Sequence, residues 1–210
     1  MPEQTKILNN KATVKAKPFL RWAGGKRWLL KDLDKYLPED GFNQYHEPFI
    51  GGGAVFFHLQ SENNTYISDL NSELIEAYYS LQNNVEDVLN ELTKFKNTKE
   101  DYYKIRKSKF ISSAKRAARF IYLNQTSFNG IYRVNLKGEY NVPYGYRDKF
   151  SFDLENIREA SKLLQQTEIN VDDFEAVTHN VQAGDLVFID PPYTVAHNNN
   201  GFILIKRFFL

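Results

Sequence analysis

The chain has 210 residues, of which 42% are hydrophobic and 25% are charged, and its 27 Lys and Arg nearly balance 26 Asp and Glu. This composition predicts a globular protein with one good core, or a core and a small subdomain, and its net charge favours no class of partner. The lack of cysteine excludes disulfides and thiolate zinc sites, and four scattered histidines argue against a metal site. No apolar run is long enough to span a membrane and no signal peptide is recognisable, so we expect a cytoplasmic protein without a membrane partner.

The amino-terminal region combines a polar segment with a glycine turn. Residues 1–16 are polar and unpatterned, which predicts a flexible arm. Glycines then precede Lys26, and a helix is predicted from Trp28 to Tyr36 before Pro38. The spacing Gly-x4-Gly-Lys-Ser/Thr of a phosphate loop is absent, which argues against a Walker-type nucleotide site.

A strand, a turn and a helix are predicted next. The run from Gln44 to Phe49 indicates a strand, and Gly51 to Gly53 bend it into a helix. Glycines at this place let the backbone approach a ligand at a helix amino terminus, although they also permit tight packing. A second strand, Thr65 to Asp69, ends in an acid where folds of this kind bind ribose hydroxyls. Asp69 could equally cap the following helix, and both roles are compatible.

The central region is helical and then rich in aromatic and amide side chains. Apolar residues recur at helical spacing from Asn83 to Gln125, which indicates core helices. The stretch from Lys104 to Arg119 contains no acid, so it is either a phosphate-facing surface or a solvated helix face. Beyond it, Leu136 to Glu139 predict a hairpin turn. The Asn and Arg side chains around this turn could read base edges, or the hairpin could be a packed, purely structural element.

Two further strands are predicted towards the carboxyl end. An amphipathic helix leads to the strand Glu168 to Val171 and then to Asp172-Asp173-Phe174. The buried run Leu186 to Ile189 presents Asp190, two prolines and a tyrosine at one edge of a sheet, which suits a flat, nitrogen-bearing ring. Four strands that alternate with helices predict an α/β protein interrupted by a helical and hairpin insertion.

Five motifs in one order resemble the Dam-type DNA adenine N6-methyltransferases, with the α-class arrangement. They are Arg21-Trp22-Ala23-Gly24-Gly25-Lys26, Glu47-Pro48-Phe49-Ile50-Gly51-Gly52-Gly53, Ser68-Asp69-Leu70-Asn71, Asn141-Val142-Pro143-Tyr144-Gly145 and Asp190-Pro191-Pro192-Tyr193. The resemblance covers the chain from about Lys17 to Tyr193. It implies a Rossmann-like sheet that binds S-adenosylmethionine, formed by residues 17–71 and 151–210, with 72–150 as an inserted DNA-recognition subdomain.

The resemblance also implies roles for single residues in cofactor binding and catalysis. Those implied in cofactor binding are Trp22, Lys26, Gly51, Gly53, Asp69, Asp173, Phe174 and Asp190. In the catalytic motif, the Asp190 carboxylate and the Pro191 carbonyl would accept hydrogen bonds from an adenine amino group. Pro192 completes the motif, and Tyr193 would stack on a base that has left the duplex.

The resemblance implies that duplex DNA is the partner and that the hairpin binds it. The implied DNA-binding residues are Arg21, Phe128, Asn129, Ile131, Arg133 and Asn135. Asn129 and Arg133 would touch bases, and Phe128 or Ile131 would fill the space left in the base stack. Members with such a hairpin often read GATC, so GATC is the expected site. Phe128 stands where a tyrosine is familiar, and any contact from a hydroxyl is lost.

The chain departs from the family after its catalytic motif. A complete enzyme of this class continues through further strands and helices, whereas an apolar and basic segment, residues 202–210, follows here. We therefore expect a sheet that is incomplete at a truncated or frame-shifted carboxyl terminus.

Three hypotheses stay open for the function of such a chain. The protein is a methyltransferase by descent, a catalytically inactive DNA- or cofactor-binding remnant, or half of an enzyme that a separate carboxyl-terminal fragment completes. Methyl transfer to the exocyclic nitrogen of cytosine is less favoured, because that reaction usually goes with Ser in place of Asp190. A cognate restriction endonuclease is a further candidate partner.

Overall fold

The centre of the protein is a parallel sheet with the strand order β3-β2-β1-β4. The computed structural model describes residues 16–24, 26, 28–147 and 150–191. The strands are β1 (Tyr45–Glu47), β2 (Thr65–Ser68), β3 (Thr167–Asn170) and β4 (Leu186–Val187). All four predicted strands are thus confirmed, with ends that differ from the expected ones by a residue or two. The expected α/β class is confirmed as well.

Helices connect the strands and cover the sheet. They are α1 (Ala54–Leu59), α2 (Ser72–Leu92), α3 (Lys99–Lys107), α4 (Ser113–Thr126), α5 (Leu154–Leu164) and α6 (Val177–Asn180). The side chain of Asn71 caps α2 by accepting a hydrogen bond from the Leu74 amide at 3.2 Å, so the capping role considered for Asp69 belongs to Asn71. In the part of the chain that the structure describes, no helix has the length and apolarity to cross a membrane.

The core forms around α2, whose apolar face packs along both α4 and α5. This helix bends at Asn84, where the backbone is not helical (φ −145°, ψ 43°). Although α2 opens the expected insertion, it also contacts β3, and it therefore joins the helical region to the sheet. Ala16, the last residue of the expected arm, is buried.

Buried tyrosines tie the hairpin region to the helices. The Tyr102 hydroxyl on α3 donates to the carbonyl oxygen of Val142 at 2.8 Å, and the Tyr122 hydroxyl on α4 donates to that of Lys96 at 2.8 Å. Because a buried hydroxyl without a partner is costly, the first bond fixes the segment after the hairpin against α3, and the second fixes α4 to the loop between α2 and α3.

The helix predicted from Trp28 to Tyr36 is wrong in kind. Two short 3-10 turns form instead, Leu29–Lys31 and Leu33–Tyr36, with Asp32 between them. Leu33 is the only residue of the two turns that is buried. A segment this short lacks a continuous apolar face, so packing does not stabilise it as an α-helix.

Candidate active site

The predicted site residues gather at one edge of the sheet. The carboxyl ends of parallel strands share an edge, so the loops after the four strands carry Gly51, Asp69, Asp173 and Asp190 to the same side. The chain order reverses at β1, because β2 and β3 extend from one side of it and β4 lies on the other. Open parallel sheets bind ligands at such a switch point, and the loops after β1 and β4 flank it here.

The glycine loop after β1 requires glycine for conformation and for space. Gly51 and Gly53 have left-handed backbones, with φ of +46° and +68°. A methyl group on Gly51 would lie 2.7 Å from the Trp22 indole, and one on Gly53 would lie 2.8 Å from the Tyr78 hydroxyl. Trp22 therefore packs directly on the loop. The Tyr78 hydroxyl also fixes the loop, because it donates to the Gly51 carbonyl at 3.1 Å.

Asp69 reaches from the end of β2 to this glycine loop. One carboxylate oxygen accepts a hydrogen bond from the Gly51 amide at 3.2 Å, and the other accepts from the Asn71 amide at 3.0 Å. Burial raises the pKa of Asp69 above its ordinary value, and the amide hydrogen bonds oppose that rise. The two bonds hold a half-buried carboxylate beside the loop, where it can accept hydrogen bonds from vicinal hydroxyls.

Asp190 forms an ion pair with Lys26. The Nζ atom of Lys26 lies 2.6 Å from Oδ2 of Asp190, and the two side chains are 12% and 20% exposed. The same Nζ donates to the Gly24 carbonyl at 2.9 Å. Oδ1 of Asp190 is buried and has no hydrogen-bond partner among the described residues. An unsatisfied buried carboxylate oxygen is costly, so this atom is poised to accept a hydrogen bond from a bound group.

Glu47 is a site residue to which the sequence assigned no role. It ends β1, is 3% exposed, and accepts hydrogen bonds at Oε2 from the Tyr45 hydroxyl at 2.6 Å and from the Phe56 amide at 3.1 Å. Burial raises the pKa of Glu47 to about 8, with a smaller contribution from the charge of Asp190, and the two hydrogen bonds oppose this rise. Its place at the end of a buried strand, shortly before the glycine loop, was the available signal.

Asp173 and Phe174 lie beyond β3 at the same edge. Asp173 caps the 3-10 turn Phe174–Ala176 by accepting a hydrogen bond from the Glu175 amide at 3.3 Å. The Phe174 ring stacks on Phe49, with 5.7 Å between centroids and 21° between planes, and Phe174 is 42% exposed. Since Phe49 directly precedes the glycine loop, the two rings form a partly exposed aromatic surface beside it.

The catalytic motif falls only partly within the described residues. Backbone bonds from β4 to β1 hold its approach, since the Phe188 amide donates to the His46 carbonyl at 2.9 Å. Pro191 follows Asp190 and is exposed. Pro192 and Tyr193 lie outside the described residues, so their roles stay predictions.

The expected hairpin forms, and its turn engages Asn135. Val134 and Tyr140 pair in an antiparallel bridge. The Asn135 side-chain oxygen accepts hydrogen bonds from the amides of Lys137 at 2.9 Å and Glu139 at 3.0 Å. These bonds close the turn. A base contact by the Asn135 side-chain oxygen would have to replace or share them.

The other predicted DNA-binding residues lie at or near the surface of this segment. Phe128, Asn129 and Arg133 are exposed, and Ile131 is half-buried. Asn129 has a left-handed backbone (φ +55°), which asparagine tolerates better than most residues. Nε of Arg133 donates to the Asn141 side chain at 2.7 Å.

Arg21 lies against the start of the hairpin. A methyl group on Gly130 would lie 2.6 Å from Cβ of Arg21. Arg21 and Trp22 are adjacent, so this short segment touches both the hairpin and the glycine loop.

The acid-free stretch from Lys104 to Arg119 contains two kinds of cation. Its arginines bond within the protein: Arg106 and Arg119 donate to backbone carbonyls, and Arg116 pairs with Glu76. Its lysines are largely exposed. We call the most exposed of them, at the carboxyl end of α3 and just beyond it, the lysine surface: Lys104, Lys107 and Lys109.

A parallel sheet with a glycine loop after its first strand, an acid after the second and an Asp-Pro motif after the fourth defines an α/β methyltransferase fold of the Rossmann-like kind. The family comparison agrees with this class and is more specific. Residues 22–209 match the D12 class N6 adenine-specific DNA methyltransferases, and the chain belongs to this family.

Curated relatives from archaea and bacteria match most of the chain. The Type II methyltransferase M.MjaIII of Methanocaldococcus jannaschii is 40% identical over 93% of this chain and 75% of its own length. The Type II methyltransferase M1.LlaDCHI of Lactococcus lactis subsp. cremoris is 39% identical over 93% of this chain and 72% of its own length. The DNA adenine methylase of Escherichia coli K12 is 31% identical over 92% of this chain and 73% of its own length.

Proposed function

We propose that this protein transfers a methyl group from S-adenosylmethionine to the N6 amino group of adenine in duplex DNA. The observation that carries the proposal is the meeting of Asp190 with Lys26, at 2.6 Å, where the loops after β1 and β4 flank the switch point of the sheet. The names of the relatives, which include a DNA adenine methylase, support the same reaction.

The residues along the edge fit S-adenosylmethionine. Asp69 offers a fixed carboxylate for the ribose hydroxyls, and the stacked pair of Phe49 and Phe174 offers an apolar surface for the adenine ring of the cofactor. The glycine loop presents backbone without side chains, and the Trp22 indole packs against it. When bound, S-adenosylmethionine supplies a methyl group on a positively charged sulfur.

The two oxygens of Asp190 can act separately towards the target base. An adenine amino group is a poor nucleophile because its lone pair is delocalised into the ring. Oδ2 binds Lys26, so the buried Oδ1 and the Pro191 carbonyl can accept the two N–H groups and align the nitrogen lone pair. Tyr193 would stack on the base.

We infer that residues 72–150 recognise the DNA through the hairpin. The Asn129 amide offers one donor and one acceptor to a base edge, the Arg133 guanidinium offers two donors, and both side chains are exposed. Phe128 or Ile131 would fill the gap left when the target base leaves the stack. We propose GATC as the site, with Arg21 reaching the target near the glycine loop.

Methyl transfer to defined duplexes tests this function. With methyl-labelled S-adenosylmethionine, the whole chain should label an unmethylated duplex that contains GATC and not one of equal composition with the site scrambled. Asp190→Ala should lower the rate at least about 100-fold, because the acceptor for the amino group is lost. Asp172→Ala, which removes an exposed carboxylate at the same edge, is the matched control and should keep the rate. Full methylation by Asp190→Ala would show that the assignment of Asp190 is wrong.

Other outcomes of that assay define the alternative functions. Binding of both ligands without label would mark a binding protein without turnover. Label that appears only after addition of a carboxyl-terminal fragment would mark an enzyme shared between two chains. The Type II names of two relatives make a restriction endonuclease for the same site a candidate partner.

A further inference from the structure

Tyr132 of the hairpin stacks on the tryptophan that covers the glycine loop. The rings of Trp22 and Tyr132 have centroids 5.9 Å apart and planes at 20°. Trp22 also lies close to the glycine loop, since a methyl group on Gly52 would lie 2.9 Å from Cβ of Trp22. The hairpin is thus one aromatic ring away from the wall of the cofactor site.

The hydroxyl of Tyr132 reaches the helix that follows Asp69. It donates to Oε2 of Glu73 at 2.9 Å, in the first turn of α2. Glu73 follows Asp69 closely in the chain. Burial raises the pKa of Tyr132 above its ordinary range, and Glu73 adds to the rise, so the hydroxyl stays protonated and remains a donor.

A second link joins the same segments through Asn124. Its side-chain oxygen accepts from the Arg21 amide at 2.8 Å, and its nitrogen donates to the carbonyls of Arg21 at 2.7 Å and Gly130 at 3.3 Å. Asn124 is 1% exposed, so these bonds are shielded from water. The segment before the glycine loop and the start of the hairpin therefore share one anchor.

We propose that Tyr132 is a positioning residue that couples cofactor binding to DNA binding. The inference rests on the proposed function, because it assigns S-adenosylmethionine to the edge and DNA to the hairpin. A cofactor that orders Trp22 and the loop after β2 also orders Tyr132, through its stack on Trp22 and its hydrogen bond to Glu73. An ordered Tyr132 holds the hairpin in one position for DNA binding. By linkage, DNA that orders the hairpin must raise cofactor affinity by the same factor.

Equilibrium binding of the whole chain, with the non-reactive analogue sinefungin and a GATC duplex, measures this factor. Trp22 and Trp28 are the two tryptophans of the chain, and Trp28 is 70% exposed. A Trp28→Phe background therefore leaves Trp22 as the reporter of both ligands. The coupling factor is the ratio of DNA dissociation constants without and with sinefungin, and factors of about 5 to 150 are typical.

Three tyrosine variants separate coupling from stability. Tyr132→Ala should bring the factor close to one, whereas Tyr132→Phe keeps the stacked ring, loses the bond to Glu73 and should give an intermediate factor. Tyr79→Ala removes an exposed tyrosine of α2 and should leave the factor unchanged. If Tyr132→Ala does not fold, the reduced factor in Tyr132→Phe still decides.

The outcomes distinguish this inference from the function on which it rests. The coupling role of Tyr132 is refuted if the wild-type chain binds both ligands and both Tyr132 variants keep the wild-type coupling factor. A wild-type coupling factor of one refutes it as well. In either case the methyltransferase site stands. If the wild-type chain does not bind sinefungin, the cofactor assignment fails, and the coupling role fails with it.

Discussion

At the scale of single residues, the carboxyl groups of Glu47 and Asp190 lie where β1 and β4 end, and their environments differ. Burial raises the pKa of Glu47 to about 8, so this side chain is mainly neutral at pH 7. Asp190 instead pairs with Lys26 at 2.6 Å. Keeping Glu47 neutral limits the repulsion between the two neighbouring acids.

This difference predicts how stability depends on pH. The folded protein binds the Glu47 proton more tightly than the unfolded chain, whose glutamate has its ordinary pKa of 4.5. The free energy of unfolding should therefore lose a contribution as pH rises from 4.5 to about 8, by up to about 1.4 kcal/mol per pH unit. Glu47→Gln should remove this slope in urea unfolding measured across the range, while Glu62→Gln, at an exposed position, should not. An unchanged slope in Glu47→Gln would contradict the account of Glu47.

At the scale of elements, the glycine loop depends on Gly53 for two separable reasons. Gly53 and Gly41 both have left-handed backbones, with φ of +68° and +79°. An added methyl group would meet the Tyr78 hydroxyl at 2.8 Å at Gly53, but no described atom within 4 Å at Gly41. The pair therefore separates backbone strain from steric contact.

Alanine at these two positions should destabilise the protein unequally. Gly41→Ala should cost about 1–2 kcal/mol from backbone strain alone. Gly53→Ala should cost about 3 kcal/mol or more, because overpacking adds to the same strain. Urea unfolding of the two variants measures the difference, and equal losses would mean that contact with Tyr78 is unimportant.

The lysine surface is the element on which electrostatics should act most directly. It lies close to the hairpin, because Arg106 of α3 donates to the Val142 carbonyl at 2.9 Å. If it faces phosphates, each lysine removed should reduce the slope of log affinity for DNA against log salt by about one. Arg116→Ala is the matched control, since Arg116 already pairs with Glu76. If variants of Lys104, Lys107 and Lys109 all keep the wild-type salt slope of DNA affinity, this surface faces solvent alone.

At the scale of the whole molecule, sequence patterns located the sheet and its edge but not the contacts between distant segments. Short apolar runs bounded by turns identified the strands, and parallel pairing then brought Asp69 and Asp190 to one edge. The ion pair of Lys26 with Asp190 and the stack of Trp22 on Tyr132 join residues far apart in the chain, and no local pattern encodes them. The helix predicted from Trp28 did not form because only Leu33 of this short segment is buried, so packing does not stabilise an α-helix there.

The acid-free stretch shows the same limit for charge. Its composition suggested one basic surface, yet its three arginines bond within the protein, and Lys104, Lys107 and Lys109 are exposed. Which cations are used internally depends on the carbonyls and acids that folding brings near, such as Glu76 for Arg116. Sequence alone contains no local sign of that choice.

We propose that the edge around Asp190 directs a methyl group to the N6 nitrogen of adenine. The most direct measurement is mass spectrometry of the nucleosides from a GATC-containing duplex after incubation with the whole chain and S-adenosylmethionine. We expect N6-methyladenine to be formed by the wild-type chain and to be lost in Asp190→Ala. N4-methylcytosine as the product, or N6-methyladenine formed equally by Asp190→Ala, would contradict it.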